Sequence, residues 1–209
     1  MTQKDIPNCF LPVTQLIEKL EKGGLSSLEL IEEYLERIRM YDRNLGAFIN
    51  VYGEEASKAA AASDMARASG HIIGPLQGIP VAVKDIIDIE GKITTGGSRV
   101  WKDRRSSLTA TLVRRMVEAG MIVLGKTHTV EFAMGSFGTN QHMGSPKNPW
   151  DLEDHRATGG SSAGTAAAVA AGLSPWGIGT DTGGSVRIPS AWCGLTGLKT
   201  SVGRISTHG

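Results

Sequence analysis

Leu16, Ile17 and Leu20 fall on one face of a helix predicted over 13–21, and the Gly23-Gly24 pair stops it. Ser26 and Glu29 have the spacing of a capping box, in which serine and glutamate side chains satisfy free N–H groups reciprocally. The helix they open carries Leu28, Ile31, Leu35 and Ile38 as its apolar stripe. Arg37 and Arg39 sit toward its end, where cations suit the helix dipole. This amphipathic pair reads as scaffold. Ala47 to Val51 predicts a strand, and the alanine-rich run from Glu54 to Ala68 a helix ended by Gly70. After a loop from Gly74 to Gly78, Ile79-Pro80-Val81-Ala82-Val83 predicts a strand, with proline near its start, where an N–H need not pair. Ser107 to Ala119 predicts a helix with Leu108, Leu112, Val113, Met116 and Val117 inward, followed by a buried strand from Met121 to Leu124. Ser162 to Gly172 is small and helix-compatible, and Trp176 to Gly179 reads as a further strand. Strand, helix, strand implies a right-handed crossover. The fold class is α/β: a mixed, largely parallel sheet covered by helices on both faces.

Composition narrows the function classes. The 209 residues are 40% hydrophobic and 21% charged, as in a globular protein, and the net charge of +1 carries no nucleic-acid footprint. The polar start Met1-Thr2-Gln3-Lys4-Asp5 is no signal peptide, and the most apolar window, Ala166 to Leu173, is far short of a membrane span. Cys9 and Cys193 lack metal or redox spacing and suit a reducing cytosol. His128, His142 and His155 are too scattered to specify a metal. The expectation is a cytoplasmic protein with no metal, no cofactor, no membrane contact and no direct nucleic-acid contact.

Twenty-seven glycines beside 5% aromatics point to tight loops and close backbone approaches. Gly120-Met121-Ile122-Val123-Leu124-Gly125-Lys126-Thr127 matches the phosphate-binding pattern G-x-x-x-x-G-K-[ST]. Its four variable residues are themselves the predicted strand, so their N–H groups belong to a ladder rather than to a phosphate, and that context argues against nucleotide binding. The irregular stretch 135–150 reads as a lid or wall. Two glycine-rich, serine-bearing loops flank one apolar segment: Gly159-Gly160-Ser161-Ser162-Ala163-Gly164, and Gly179-Thr180-Asp181-Thr182-Gly183-Gly184-Ser185-Val186-Arg187. They are either ordinary surface turns or loops that aim backbone N–H groups at an anion or oxyanion. In the second case the N–H groups of Thr182, Gly183, Gly184 and Ser185 converge on one point. No His/Asp pair is placed to activate Ser185. Lys84 closes the apolar run of a predicted strand: it either snorkels or is paired, or it is a desolvated lysine able to act as a neutral base. A relay from Lys84 through Ser161 to Ser185 is then chemically coherent.

These residues resemble the amidase signature family. The segment from Gly159 to Gly164 and on through Gly183-Gly184-Ser185-Val186-Arg187-Ile188-Pro189 looks like its defining stretch, and Gly78-Ile79-Pro80-Val81-Ala82-Val83-Lys84-Asp85 like its lysine strand. Cys193-Gly194, Gly197-Leu198-Lys199 and Gly203-Arg204 also match. The resemblance implies that Ser185 is the nucleophile, Ser161 the bridging serine beside a cis peptide bond, and Lys84 the base. It implies oxyanion-hole backbone at Thr182, Gly183 and Gly184, with Ser162, Asp181 and Arg187 in support. Thr158 departs from the family's frequent proline and removes no catalytic group.

The implied chemistry is hydrolysis of a linear carboxylic amide through an acyl-enzyme on Ser185, with Ser161 passing a proton to the departing amine. The implied partners are a small-molecule amide substrate, and either a homodimer or amidotransferase partner subunits. The alternative is the A subunit of a tRNA-dependent amidotransferase, releasing ammonia from glutamine; a catalytically silent fragment and a nucleotide-binding module are further readings. Family members are roughly twice as long, so the resemblance also implies a C-terminally incomplete fold with an exposed strand edge and apolar surface. The expectation is that these 209 residues alone are inactive or poorly soluble. The expected organisation is an N-terminal helical segment over 1–70 packing on the core, and the N-terminal part of the amidase signature domain over 71–209.

Overall fold

The computed structural model describes residues 6–209; the polar start Met1–Asp5 lies outside the described residues. Helix α1 (Val13–Glu21) buries Leu16 and Leu20. Helix α2 (Ser27–Leu45) opens on a complete capping box at Ser26 and Glu29 and ends at Gly46 in the left-handed conformation. Its buried line is Ser27, Leu30, Ile31, Tyr34, Leu35 and Ile38, not the predicted stripe: Leu28 is 37% exposed. A helix turns about 100° per residue, so the buried position of Ser27 carries Leu28 off that line. Arg37 and Arg39 lie mid-helix because α2 runs to Leu45, and Arg43 holds the last turn instead. Arg37 works elsewhere, donating to the Ala171 and Gly172 carbonyls at 2.9 Å each.

Strand β1 (Phe48–Val51) leads into α3 (Gly53–Ala68). Strand β2 (Pro80–Lys84) is buried along its whole length, as a strand covered on both faces must be. Helix α4 (Thr111–Glu118) is shorter than predicted and buries only Val113 and Met116; Val117 is half exposed. The reason is tertiary. The Ala110 N–H donates to the Asp88 carbonyl, and the Thr109 hydroxyl accepts from the Glu90 N–H, so the run before Thr111 belongs to the excursion that follows β2. Strand β3 (Ile122–Thr127) extends through Gly125-Lys126-Thr127. At Gly125 a Cβ would overlap the Asn50 carbonyl oxygen, so only glycine admits β1 there.

Helix α5 (Ala163–Ala170) and strand β4 (Gly177–Ile178) follow, then α6 (Arg187–Trp192), an element not predicted from the sequence. The four strands are ordered β1-β3-β2-β4, with β1 antiparallel to β3 and the other two pairings parallel. The fold is α/β with a mixed, largely parallel sheet. One apolar core runs from Leu16 in α1 through Val81, Val83 and Leu124 in the sheet to Leu173 after α5. Because β1 completes one edge of the sheet, the first 70 residues contribute a strand as well as helices. No helix among the described residues is long and apolar enough to cross a membrane. Met134, Phe137, Trp150, Leu198 and Val202 are exposed.

Candidate active site

Lys84 is the last residue of β2, and neither it nor Ser161 has any exposure. Its Nζ donates to Ser161 Oγ at 2.6 Å and to Thr180 Oγ1 at 2.8 Å. Burial strips water from the ammonium and pulls its pKa down to about 7, against the opposing attraction of Asp181. The lysine is therefore neither snorkelling nor salt-bridged.

The first glycine-rich loop brings Ser161 to this point. The Gly160–Ser161 peptide bond is cis. The Gly160 N–H donates to the Ser136 carbonyl at 2.7 Å, and the Ser161 carbonyl accepts from the Val130 N–H at 3.2 Å and the Thr129 hydroxyl at 3.1 Å. A Cβ on Gly160 would lie 2.7 Å from the Gly138 nitrogen, so the glycine there answers to a close backbone approach. The irregular stretch 135–150 thus serves as a wall behind Ser161.

The second loop is organised by Asp181. Its carboxylate accepts from the N–H groups of Gly184 at 2.8 Å, Val186 at 3.1 Å and Arg187 at 3.2 Å. The Arg187 guanidinium adds two bonds, at 3.0 and 2.9 Å. Those guanidinium bonds, with the backbone donors behind them, hold the Asp181 carboxyl well below the usual carboxylate range. Ser162 ties the two loops: its N–H donates to the Ser185 carbonyl at 3.2 Å and its Oγ accepts from the Thr180 N–H at 3.3 Å.

Lys84, Ser161, Ser162, Asp181, Ser185 and Arg187 are thus brought together by hydrogen bonds within and between two loops and one strand end. Two details differ from the simple expectation. Among the described residues, no side-chain hydrogen bond joins Ser185 to Ser161. The Gly184 N–H, grouped with the oxyanion donors from sequence, is committed to Asp181. The N–H groups of Thr182, Gly183 and Ser185 donate to no protein acceptor among the described residues.

Thr180 is a site residue that sequence reasoning misses. The Val83↔Ile178 register of the β2–β4 pairing carries it beside Lys84, and that register is visible only once the two strands are known to be neighbours. Among the described residues there is no group of three or more His, Cys, Asp or Glu side chains able to hold a metal ion.

The family model for Amidase matches residues 29–209. The chain belongs to the amidase signature family. Among curated relatives it is 48% identical over 197 residues to the A subunit of glutamyl-tRNA(Gln) amidotransferase from Chromohalobacter salexigens, a match covering 94% of this chain and 40% of that protein. Among solved structures it is similar to native peptide amidase from Stenotrophomonas maltophilia, with TM-score 0.89 and 37% identity, over 97% of this chain and 42% of that one. It is equally similar to an inhibitor-bound vestigial complex bearing on the origins of an s-triazine catabolic enzyme, with TM-score 0.91 and 39% identity, over 95% and 43% of the two chains. The chain spans about 40% of the length of the curated relatives it matches.

Proposed function

We propose that this chain carries the chemical centre of an amide hydrolase. Lys84 is the base, Ser161 relays the proton, and Ser185 attacks the amide carbonyl. The observation that carries the reading is the buried 2.6 Å contact between Lys84 Nζ and Ser161 Oγ. A lysine whose pKa lies near 7 is in part neutral at physiological pH and can accept a proton. Ser185 Oγ bonds to the carbonyl carbon, its proton passes through Ser161 to Lys84, and the tetrahedral oxyanion forms beside the N–H groups of Thr182, Gly183 and Ser185. Gly184 is left out of that set because its N–H shapes the loop through Asp181. Collapse expels the amine, which takes the proton back through Ser161 and leaves an acyl-enzyme on Ser185. Water, deprotonated by the same relay, releases the acid. Losing one oxyanion donor typically costs about 2.7–4 kcal/mol of barrier.

A specific observation favours one version of this chemistry. Curated relatives that reach 48% identity are A subunits of glutamyl-tRNA(Gln) amidotransferase, whereas the two solved structures named above stand at 39% and 37%. On that reading the amide is glutamine, and the ammonia passes to partner subunits. Assaying the full-length protein for ammonia release from glutamine and from simple amides, with and without candidate partner subunits, tests both versions. Glutaminase activity that appears only with partners supports the amidotransferase role; hydrolysis of simple amides by the chain alone supports the free amidase. No turnover under either condition, with the site acylated by no probe, would count against both.

A further inference from the structure

Lys126, the lysine of the P-loop-like string, is fully buried, and so is Asp85, the residue after Lys84. The proposed relay uses neither. Lys126 Nζ donates to Asp85 Oδ1 at 3.2 Å, to the Ile87 carbonyl at 2.7 Å and to Thr94 Oγ1 at 2.8 Å, which engages all three ammonium donors. The other carboxylate oxygen of Asp85 accepts from the Thr95 N–H and the Thr95 hydroxyl. The backbone of Asp85 is tied as well. Its N–H donates to the Thr127 carbonyl at 3.0 Å, and its carbonyl accepts from the Gly96 N–H at 2.9 Å. Every polar group of Asp85 is therefore engaged, on a residue joined directly to Lys84.

The side chains of Lys84 and Asp85 share no hydrogen-bond partner. Lys84 reaches Ser161 and Thr180, while Asp85 reaches Lys126, Thr95, Thr127 and Gly96. The strand end is thus gripped through two neighbouring side chains that engage different sets of groups, and a rotation of the backbone at Asp85 would swing Lys84 out of line with Ser161. A buried ion pair is weak evidence for stability, because the cost of desolvating two charges offsets their attraction. Orientation is what this pair supplies.

We propose that Lys126 and Asp85 are positioning residues for Lys84, locking the end of β2 so that Lys84 Nζ is presented to Ser161. The proposal rests on the reading of Lys84 as the base. Its test is the rate at which a fluorophosphonate labels Ser185 in the full-length protein, measured beside the melting temperature of each variant. Lys126→Met is expected to lower the melting temperature and to slow labelling by about 100-fold, the scale of a small misplacement at a reacting centre. The double variant Lys126→Met/Asp85→Asn removes the unpaired buried charge, so its melting temperature recovers while labelling stays slow by about tenfold or more. Labelling that recovers together with the melting temperature would show a merely structural pair and overturn the proposal. Thr95→Val keeps both charges and removes one donor to Asp85, which covers the case in which Lys126→Met does not fold. It is expected to slow labelling severalfold at a near-normal melting temperature, and an unchanged rate overturns the proposal. Lys84→Ala separates the two readings. Wild-type labelling in Lys84→Ala sinks the relay and this proposal together, whereas slow labelling there beside normal labelling in the double variant sinks this proposal alone.

Discussion

Lys84 Nζ lies 2.6 Å from Ser161 Oγ, with both side chains wholly removed from solvent. Among the described residues, no carboxylate lies within salt-bridge reach of this lysine, and hydroxyl groups are its only side-chain partners. Such an environment disfavours the ammonium and leaves a base.

The first prediction concerns that base. Lys84→Ala should reduce turnover and Ser185 labelling by about 10³-fold, within the usual range for loss of a general base. The protein should stay folded at a lower melting temperature, because removing a buried, desolvated ammonium offsets part of the cost of the cavity that alanine leaves. Circular dichroism melts beside the labelling rate check both halves.

The pH dependence follows from the same lysine. Activity should rise with pH through about 7, as Lys84 loses its proton, and then level off. Stability should move the same way over a higher window. The folded-state pKa lies below that of the unfolded chain, near 10.4, so between these values the unfolded state binds the extra proton and stability increases with pH. Below the folded value both states are protonated and this contribution is flat. Asp181 acts at the acid end: its depressed pKa contributes stability that is fully present above the ordinary carboxylate range and is lost as pH falls below that range through its lowered folded value. Urea midpoints across the pH range, in wild type and Lys84→Met, isolate the lysine contribution as a difference that changes with pH between the folded and unfolded pKa values and is constant outside them.

Asp181 and Arg187 should not be equivalent. Asp181 is nearly fully buried and holds three backbone N–H groups, whereas Arg187 is about half exposed. Asp181→Ala should release the Gly184 N–H and the whole second loop, lowering kcat by about 100-fold or more through loss of preorganised donors. Arg187→Ala leaves the backbone bonds in place, and solvent screens its pair with Asp181, so its effect should be several times smaller. Steady-state kinetics on the two variants rank them; equal effects would contradict the assigned division of labour.

Much of this is legible in the sequence wherever the signal is local. The bounds of α1 follow from its apolar spacing and Gly23-Gly24, and the capping box at Ser26 and Glu29 is present as read. Lys84 is legible as a lysine closing an apolar strand, and so is the strand inside Gly120–Thr127, where Lys126 is buried on Asp85. What is not legible depends on partners distant in sequence. Leu28 has i,i+3 spacing to Ile31 and Leu30 has i,i+4 spacing to Tyr34, and only packing decides between them. The run before α4 gives its hydrogen bonds to the excursion after β2. Helix α6 carries Pro189 in its first turn, where the ring is tolerated, and it follows a glycine-rich loop that masks it.

Glycine substitutions separate close approach from loop shape. Gly164→Ala would drive a Cβ into the Ala47 carbonyl oxygen and the His128 backbone nitrogen, where α5 meets the chain on both sides of the sheet edge. It should cost about 1–3 kcal/mol, as overpacking does. Gly183→Ala meets nothing within 4 Å. It should leave stability within about 0.5 kcal/mol, as open surface positions do. Chemical denaturation of the two variants checks the contrast, and a large loss in Gly183→Ala would mean that the second loop is packed differently.

The central claim is that Ser185 is made nucleophilic by Lys84 through Ser161. The most direct measurement is fluorophosphonate labelling of the full-length protein, read by intact mass and peptide mapping in wild type, Ser185→Ala, Ser161→Ala and Lys84→Ala. The account predicts a single adduct on Ser185 in wild type, none in Ser185→Ala, and labelling slowed by orders of magnitude in the other two. An adduct on another residue, or labelling of Ser185 at the wild-type rate without Lys84, would contradict it.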